Sequence, residues 1–183
     1  MKKILARVFF IALTILLFTS CIKGGGSGNG YEEYNLVNVG DYTPYFTVYD
    51  KDGNSFSHES GQSSQLLGKR SLILFFQTTC GDCKAILPEM GKVWEAVKGD
   101  AEYNFIVINR GESVSIIENS EYSVFDYYLD PLKETYSKFA TGYVPRLYII
   151  DSEGIIEWIA VEKLPTEADT AEKLLTKLKG SGN

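Results

Sequence analysis

The sequence predicts an α/β fold, and its apolar pattern carries that prediction. An unbroken apolar run at 72–76 has the length and composition of a strand that is buried on both faces. A helical stripe of apolar residues follows it, and then a second strand-like run at 103–109. A strand, a helix and a strand in this order favour parallel pairing of the two strands. The pattern at 141–156 predicts two further strands joined by an Asp-Ser-Glu-Gly turn.

The N-terminal residues have the basic, apolar and small-residue order of an export signal. Three basic residues precede an apolar run at 8–18, and two small polar residues lead from it to Cys21. Because residues 18–21 resemble the lipobox of bacterial lipoproteins, we expect residues 1–20 to be a signal peptide that is removed before Cys21, which is then lipidated. An uncleaved signal anchor and a plain signal peptide with a chance cysteine are the alternatives.

Residues 21–30 predict a flexible tether, because they are rich in glycine. Its reach should be roughly 15–20 Å, so it would hold a domain near a membrane without orienting it. A single domain is expected at 31–183, since a chain of 183 residues, 44% of them hydrophobic, is long enough to bury one full core.

The charge of the chain limits its partners. Loss of residues 1–20 would remove three basic residues and no acidic ones, which lowers the formal charge from −6 to −9. Nucleic acid is not expected as a partner, because its phosphates are bound by Lys and Arg. An acidic surface is also a poor match for anionic lipid, so membrane attachment should depend on the lipid at Cys21 alone.

The domain opens with a predicted β-hairpin. Residues 45–50 alternate apolar and polar side chains after Pro44, and the turn at 51–54 would join this strand to a second one. Residues 66–70 then lead into the buried strand at 72–76.

Cys80 lies at the turn between the buried strand and the helix predicted to follow it, and Cys83 lies one helical turn further in. At the start of a helix, free N–H groups and the helix dipole favour a thiolate over a thiol. We therefore predict a redox-active dithiol, in which Cys80 is the nucleophile and the more buried Cys83 is the resolving thiol. A purely stabilising disulfide is the weaker interpretation, because the short loop between the two cysteines would remove little chain entropy.

The later elements follow from local patterns. We expect a short helix around 113–118, a short strand at 124–130, and a helix at 131–140 with Leu132 on its apolar face. A C-terminal helix at 166–179 has apolar residues on one side and should cover one face of the sheet.

These stretches together resemble the TlpA-like and AhpC/TSA-like branch of the thioredoxin superfamily. The shared features are a G-x-x-x-P-x-F segment at 40–46, a D-x-x-G turn at 50–53, a G-K pair at 68–69, the two cysteines at 80–83, and Pro88 in the helix. The resemblance implies a thioredoxin-like fold, with a central mixed β-sheet flanked by helices on both faces and an N-terminal β-hairpin extension.

The resemblance also implies a role for Val144 and Pro145. In this superfamily a proline that precedes a strand, far along the chain from the two cysteines, is cis and packs against the active-site disulfide. The carbonyl and N–H of the preceding residue, here Val144, can then bind an extended substrate strand beside Cys80. A trans proline at the start of an edge strand is the alternative.

The chain departs from the family pattern near the cysteines. Ile86 and Leu74 stand where relatives carry a carboxylate that can accept a proton. The base that deprotonates Cys83 is therefore unassigned, and Glu89, Asp82 and a water molecule are the candidates.

The predicted reaction is thiol–disulfide exchange. Reduction of disulfides in exported proteins is the expected direction, because the charge of Asp82 disfavours a thiolate beside it and a less stabilised thiolate makes a weaker oxidant. Two alternatives remain: a thiol peroxidase of the AhpC/TSA kind, although the Pro-x-x-x-Thr-x-x-Cys pattern is absent at Cys80, and a non-catalytic binding module, which would not need both thiols. No metal site is expected, because His58 is the single histidine and Cys21 is assigned to the lipid.

The expected partners are protein or small-thiol disulfides and a membrane or periplasmic electron donor, and no cofactor is called for. The protein should be a lipid-anchored lipoprotein of the cell envelope that faces the periplasm. Ile22 stands where an acidic residue often marks retention in the inner membrane, so the outer membrane is favoured.

Overall fold

The computed structural model describes residues 30–61, 63–111, 126–162 and 170–180. Its strands are β1 (Phe46–Tyr49), β2 (Ser55–His58), β3 (Arg70–Phe76), β4 (Tyr103–Arg110), β5 (Tyr128–Asp130), β6 (Arg146–Ile150) and β7 (Ile156–Val161). Its helices are α1 (Gly81–Val97), α2 (Tyr136–Phe139) and α3 (Thr170–Leu178), and a 3-10 turn (Glu32–Tyr34) precedes β1. The predicted signal peptide, Cys21, nearly all of the tether and the predicted helix around 113–118 lie outside the described residues.

The described strands form one mixed sheet in the order β2-β1-β5-β4-β3-β6-β7. β3 pairs with β4 in parallel, as the strand, helix and strand pattern predicts, and it pairs with β6 in antiparallel orientation. The predicted hairpin of β1 and β2 extends one edge of the sheet, and the hairpin of β6 and β7 forms the other. The predicted fold class is confirmed.

Helices cover both faces of this sheet. The ring of Trp94 in α1 lies 5.6 Å from that of Phe105 in β4, and α3 packs beside α1. The ring of Phe139 in α2 lies 5.1 Å from that of Phe75 in β3. Phe105 pairs with Leu72, three residues before Phe75. Since successive side chains of a strand point to opposite faces, α1 and α2 lie on opposite sides of the sheet.

The centre of the sheet is the most buried part of the fold. Residues 72–76 of β3 are each 0% exposed, and residues 146–150 of β6 are also buried. Full burial of a large aliphatic or aromatic side chain contributes roughly 1.5–3 kcal/mol, so these two strands form a rigid support. The loop that carries the cysteines starts from the end of β3.

The helix predicted at 131–140 is wrong in its first half. Only α2 is helical, and Leu132, which was predicted to lie on its apolar face, is 77% exposed. Lys133 has a φ of 59°, a left-handed conformation that interrupts a right-handed helix. The carboxylate of Asp130 accepts two N–H groups at the start of α2, at 3.1 and 2.7 Å, and so determines where the helix begins.

Two other predicted elements are shorter in the described residues. β5 covers the end of the strand expected at 124–130, and α3 covers the second part of the helix expected at 166–179; the first residues of each prediction lie outside the described part. Within the described ranges, none of the helices combines the length and the apolar character that a membrane span requires.

Candidate active site

Cys80 is the residue that caps the N-terminus of α1. Its backbone is extended, with φ −87° and ψ 119°, and its Sγ accepts the N–H of Cys83 at 3.1 Å. The 17-residue helix directs its positive dipole end and its free N–H groups at this sulfur. This position of Cys80, at the start of the helix, is the one that the strand-to-helix pattern predicts.

Cys83 lies one turn further into α1 and is 0% exposed, whereas Cys80 is partly exposed. Burial raises the pKa of the Cys83 thiol, and the hydrogen bond with Cys80 and the charge of Asp82 raise it further. Both residues are free thiols in the structure. The pair thus consists of one accessible sulfur with a built-in hydrogen-bond donor and one shielded sulfur that keeps its proton.

Val144 lies directly against Cys80, and Pro145 is the next residue along the chain. The bond between them is cis, as predicted, and the Cys80 thiol donates a hydrogen bond to the Val144 carbonyl at 3.3 Å. The N–H of Val144 has no hydrogen-bond partner among the described residues. The structure therefore brings together four of the residues selected from the sequence, and Cys21 lies outside the described part.

The pairing of β3 with β6 explains this meeting of distant residues. β6 begins with Arg146, which lies opposite Phe75 near the end of β3. Because the two strands are antiparallel, the end of β3 and the start of β6 share one edge of the sheet. Cys80 and Val144 are 64 positions apart in the chain and become neighbours there.

Arg146 supports the loop before β6, and sequence reasoning missed it. Its side chain is 0% exposed, and its Nε donates to the carbonyls of Gly142 at 2.9 Å and Tyr143 at 3.2 Å. Another guanidinium nitrogen donates to Asn35. A buried charge is costly unless it is hydrogen-bonded, so these bonds hold the loop in one geometry. The available signal was an isolated arginine next to Pro145 in an apolar strand.

Glu89, a candidate base for Cys83, makes a different contact. It is nearly buried in α1, and its carboxylate accepts the N–H of Ala171 at 3.0 Å and the ammonium of Lys92 at 2.7 Å. The carboxylate therefore stabilises the start of α3 and joins it to α1. Asp82, the other candidate carboxylate, is exposed and lies within the cysteine motif.

A surface cavity of about 560 Å³ lies at the other end of β6, lined among others by Ile149, Asp151 and Trp158. It contains neither thiol and has no part in the chemistry of the cysteines. In the described ranges, no group of His, Cys, Asp and Glu side chains is arranged to hold a metal ion.

A model of the AhpC/TSA family matches residues 39–159, more than half of the chain, and this match includes both thiols and Pro145. The chain belongs to the AhpC/TSA family. No curated protein was found to match it.

Several solved structures are similar to this chain and share its fold. A solution structure assigned provisionally as a protein disulfide isomerase from Bacteroides thetaiotaomicron is 25% identical, with a TM-score of 0.68, and the match covers 80% of this chain and 93% of that one. The thioredoxin domain of a thiol-disulfide oxidoreductase from Bacteroides vulgatus is 22% identical, with a TM-score of 0.56 and coverage of 76% and 99%. A secreted disulfide oxidoreductase from Mycobacterium tuberculosis is 20% identical, with a TM-score of 0.59 and coverage of 74% and 95%.

Family and fold together confirm the predicted relationship and the predicted enzyme class. The protein is a thioredoxin-like oxidoreductase of the AhpC/TSA family, and its candidate site lies beyond the carboxyl end of the central strand β3.

Proposed function

We propose that this protein exchanges electrons between its Cys80–Cys83 dithiol and the disulfides of exported proteins, and that it does so while anchored by lipid outside the cytoplasm. The observation that carries the proposal is the arrangement of the two thiols. Cys80 is partly exposed at the N-terminus of α1, and Cys83 is fully buried one turn later. Exchange through a mixed disulfide needs one accessible nucleophile and one shielded thiol that acts second.

In the first step the Cys80 thiolate attacks one sulfur of the substrate disulfide. A bond forms between that sulfur and Cys80, and the substrate disulfide breaks. The second substrate sulfur leaves as a thiolate and takes a proton from solvent. The Cys83 N–H, 3.1 Å from the Cys80 sulfur, and the helix dipole stabilise the attacking charge.

In the second step the Cys83 sulfur loses its proton and attacks the Cys80 sulfur of the mixed disulfide. The bond to the substrate breaks, the substrate leaves with two thiols, and the Cys80–Cys83 disulfide has taken up the oxidation. Because burial raises the pKa of Cys83, this proton needs an acceptor, and we assign the role to a water molecule that enters with the substrate. A membrane or periplasmic thiol donor must then supply two electrons to restore the dithiol.

Val144 is the proposed docking point for the substrate backbone. Its carbonyl lies 3.3 Å from the Cys80 sulfur, and its N–H is available for a further hydrogen bond. An extended polypeptide that pairs with this one residue would place its own cysteine beside Cys80. Pro145 fixes the position of this carbonyl at the start of β6.

The expected direction is reduction, and the reduction potential tests it. For the purified full chain, equilibrated with glutathione or dithiothreitol and analysed by thiol-trapping mass spectrometry, we expect a reversible two-electron couple near the thioredoxin value of about −270 mV. The Cys83→Ser variant is the control and should show no such couple.

Three other results would change the assignment. A potential near that of DsbA, about −120 mV, would contradict the reductase and indicate an oxidase or isomerase. The absence of both a reversible couple and peroxide consumption in the wild-type protein would leave only a binding module. Rapid consumption of peroxide without a partner protein would indicate the thiol peroxidase.

The proposed location is the periplasmic side of the outer membrane, with Cys21 as the lipid attachment site. The support is the N-terminal sequence, together with a solved structure of a similar protein that is described as secreted. In a Gram-negative host we expect the full chain to incorporate labelled palmitate and to sediment with outer-membrane vesicles, whereas Cys21→Ser should lose both properties. Cys80→Ser is the matched control and should keep the label. Labelling that survives in Cys21→Ser, or recovery of the wild-type chain in the cytosol, would contradict the proposed anchor.

A further inference from the structure

Three tyrosines form a cluster beside the nucleophile. The ring of Tyr143, the residue before Val144, lies 4.9 Å from the ring of Tyr31 and 4.6 Å from that of Tyr34. The contact with Tyr34 is edge to face, at an interplanar angle of 75°. Tyr143 is 39% exposed, and the other two rings are partly exposed, so the cluster is accessible from solvent.

Hydrogen bonds to backbone groups hold this cluster in place. The N–H of Thr141 donates to the carbonyl of Tyr34 at 2.9 Å, which ties the N-terminal segment to the loop before β6. From inside, the hydroxyl of Tyr136 lies 2.7 Å from the carbonyl of Tyr143, and Arg146 donates to the same carbonyl. The side chain of Tyr143 is therefore presented on a fixed backbone.

Two residues of this region, Tyr143 and Glu162, have a left-handed backbone conformation. Tyr143 has a φ of 67° and Glu162 a φ of 54°, and they are two of the three non-glycine residues with positive φ in the described ranges. The N–H of Glu162 donates to the carbonyl of Pro145 at 2.8 Å, so both residues flank that proline. Such conformations are unfavourable for residues with a side chain and are concentrated at functional sites.

Carboxylates border the tyrosine cluster. The side chain of Glu162 lies beside the hydroxyl of Tyr31 and, with a smaller contribution from Asp82, raises the pKa of that phenol. Glu33 similarly contributes to the raised pKa of Tyr34, after the larger effect of Tyr143. Asp82 is exposed between the two cysteines, so negative charge acts on Tyr31 both from Glu162, which follows β7, and from the first turn of α1.

We propose that Tyr31, Tyr34 and Tyr143, with Glu162 and Asp82 at their border, form a subsite that binds a lysine or arginine side chain next to the disulfide of the substrate polypeptide. The inference rests on the proposed function, because the subsite serves a substrate whose cysteine is held at Cys80. A polypeptide that pairs with Val144 would also pass Tyr143, the residue that precedes Val144 in the loop.

The chemistry of the cluster favours a cation over an apolar side chain. The faces of tyrosine rings carry negative electrostatic potential and attract ammonium and guanidinium groups. The bordering carboxylates add attraction for a cation and repel an acidic side chain. Lys84 is a basic residue on the same turn of α1 as Asp82. It already has an interaction within the protein.

The test compares four peptides that carry the same intramolecular disulfide and differ only in the residues that flank one cysteine: Lys, Gln, Glu or Phe. The full chain is reduced beforehand, and the second-order rate constant of a single reduction of each peptide is measured by acid quench and thiol trapping. Each rate is divided by the rate of the same peptide with dithiothreitol, which removes the effect of the flanking charge on the intrinsic reactivity of the disulfide. We expect a normalised Lys-to-Glu ratio of about ten at low salt, which decreases as salt is added.

The variants Tyr31→Leu and Glu162→Gln should each lower this ratio by at least half. Glu162→Gln is nearly isosteric, so it remains informative if Tyr31→Leu disturbs the N-terminal segment. Tyr49→Leu and Glu95→Gln change an exposed tyrosine and an exposed carboxylate elsewhere, and both should keep the wild-type ratio.

The outcomes separate this inference from the proposed function. If no peptide is reduced, the proposed function fails. If all are reduced but Lys and Glu peptides react equally, or the Phe peptide reacts fastest, the basic-residue subsite is wrong and the function stands. A Lys preference that Tyr31→Leu and Glu162→Gln both leave unchanged would also overturn it, because the cation would then bind elsewhere.

Discussion

The Cys83→Ser protein is expected to accumulate a covalent complex with its substrates. With Cys80 intact, the first attack proceeds and forms the mixed disulfide, but the thiol that should release the substrate is missing. Release of the substrate then depends on thiols in solution, which lack the high effective concentration that an intramolecular thiol has at the mixed disulfide. We expect at least a hundredfold longer lifetime of the complex than in the wild-type protein, measured by non-reducing electrophoresis and mass spectrometry after acid quench.

The matched control for this experiment is Cys80→Ser. It removes the exposed sulfur and retains the buried one, so it should form no complex and have no measurable exchange activity. Equal trapping by both variants would show that either thiol can act as the nucleophile, which would contradict the assigned order of attack. The trapped polypeptides also identify the physiological substrates, and their flanking residues give an independent test of the preference for lysine and arginine.

The second large effect concerns the reactivity of the two thiols. In the reduced wild-type protein at pH 7.5, iodoacetamide should modify Cys80 at least about a hundred times faster than Cys83, because the thiolate is the reactive species and burial raises the pKa of Cys83. Peptide mapping by mass spectrometry gives the two rates separately. Comparable rates in the folded protein would contradict the exposed and buried assignment.

The same pKa shift has a consequence for stability. Because the pKa of Cys83 is raised in the folded protein, its contribution to stability is fully present below the ordinary thiol pKa of about 8.5. Above that pH the unfolded chain loses a proton that the folded chain keeps, so the free energy of unfolding of the reduced protein should fall by up to about 1.4 kcal/mol per pH unit.

Denaturant titrations between pH 8 and 10 measure this slope. Cys83→Ser and the oxidised wild-type protein lack the titrating thiol and should show a clearly smaller slope. The range stops at pH 10 because the buried phenols of Tyr136 and Tyr148, whose pKa values are raised by burial, contribute a slope of the same sign at higher pH. A slope that is the same in all three proteins would show that Cys83 does not hold its proton in the folded state.

The sequence identifies the cysteine site because its signals are local. A buried apolar strand, two cysteines and a helical stripe follow one another without interruption, and the geometry of a strand-to-helix turn places Cys80 at the helix N-terminus. The roles of Val144 and Pro145 came from a resemblance, because nothing in the residues around them says that they meet the cysteines.

Local sequence patterns did not predict where α2 begins or what Glu89 contacts, because contacts beyond the local pattern determine both. The pattern at 131–140 satisfies helical spacing, but a left-handed residue at Lys133 and the carboxylate of Asp130 delay the helix to α2. Glu89 is a plausible base from its position near Cys83, yet its carboxylate binds the N–H of Ala171, 82 positions away in the chain.

The sequence by itself determined the order of the elements and the position of the two cysteines at the start of a helix, because hydrophobic periodicity and helix capping act over a few neighbouring residues. Tertiary structure decided what surrounds those thiols. The antiparallel register of β3 and β6 brings Val144 to Cys80, and the buried Arg146 holds the loop that presents Tyr143. These contacts join residues far apart in the chain, and the packing of the whole sheet determines them.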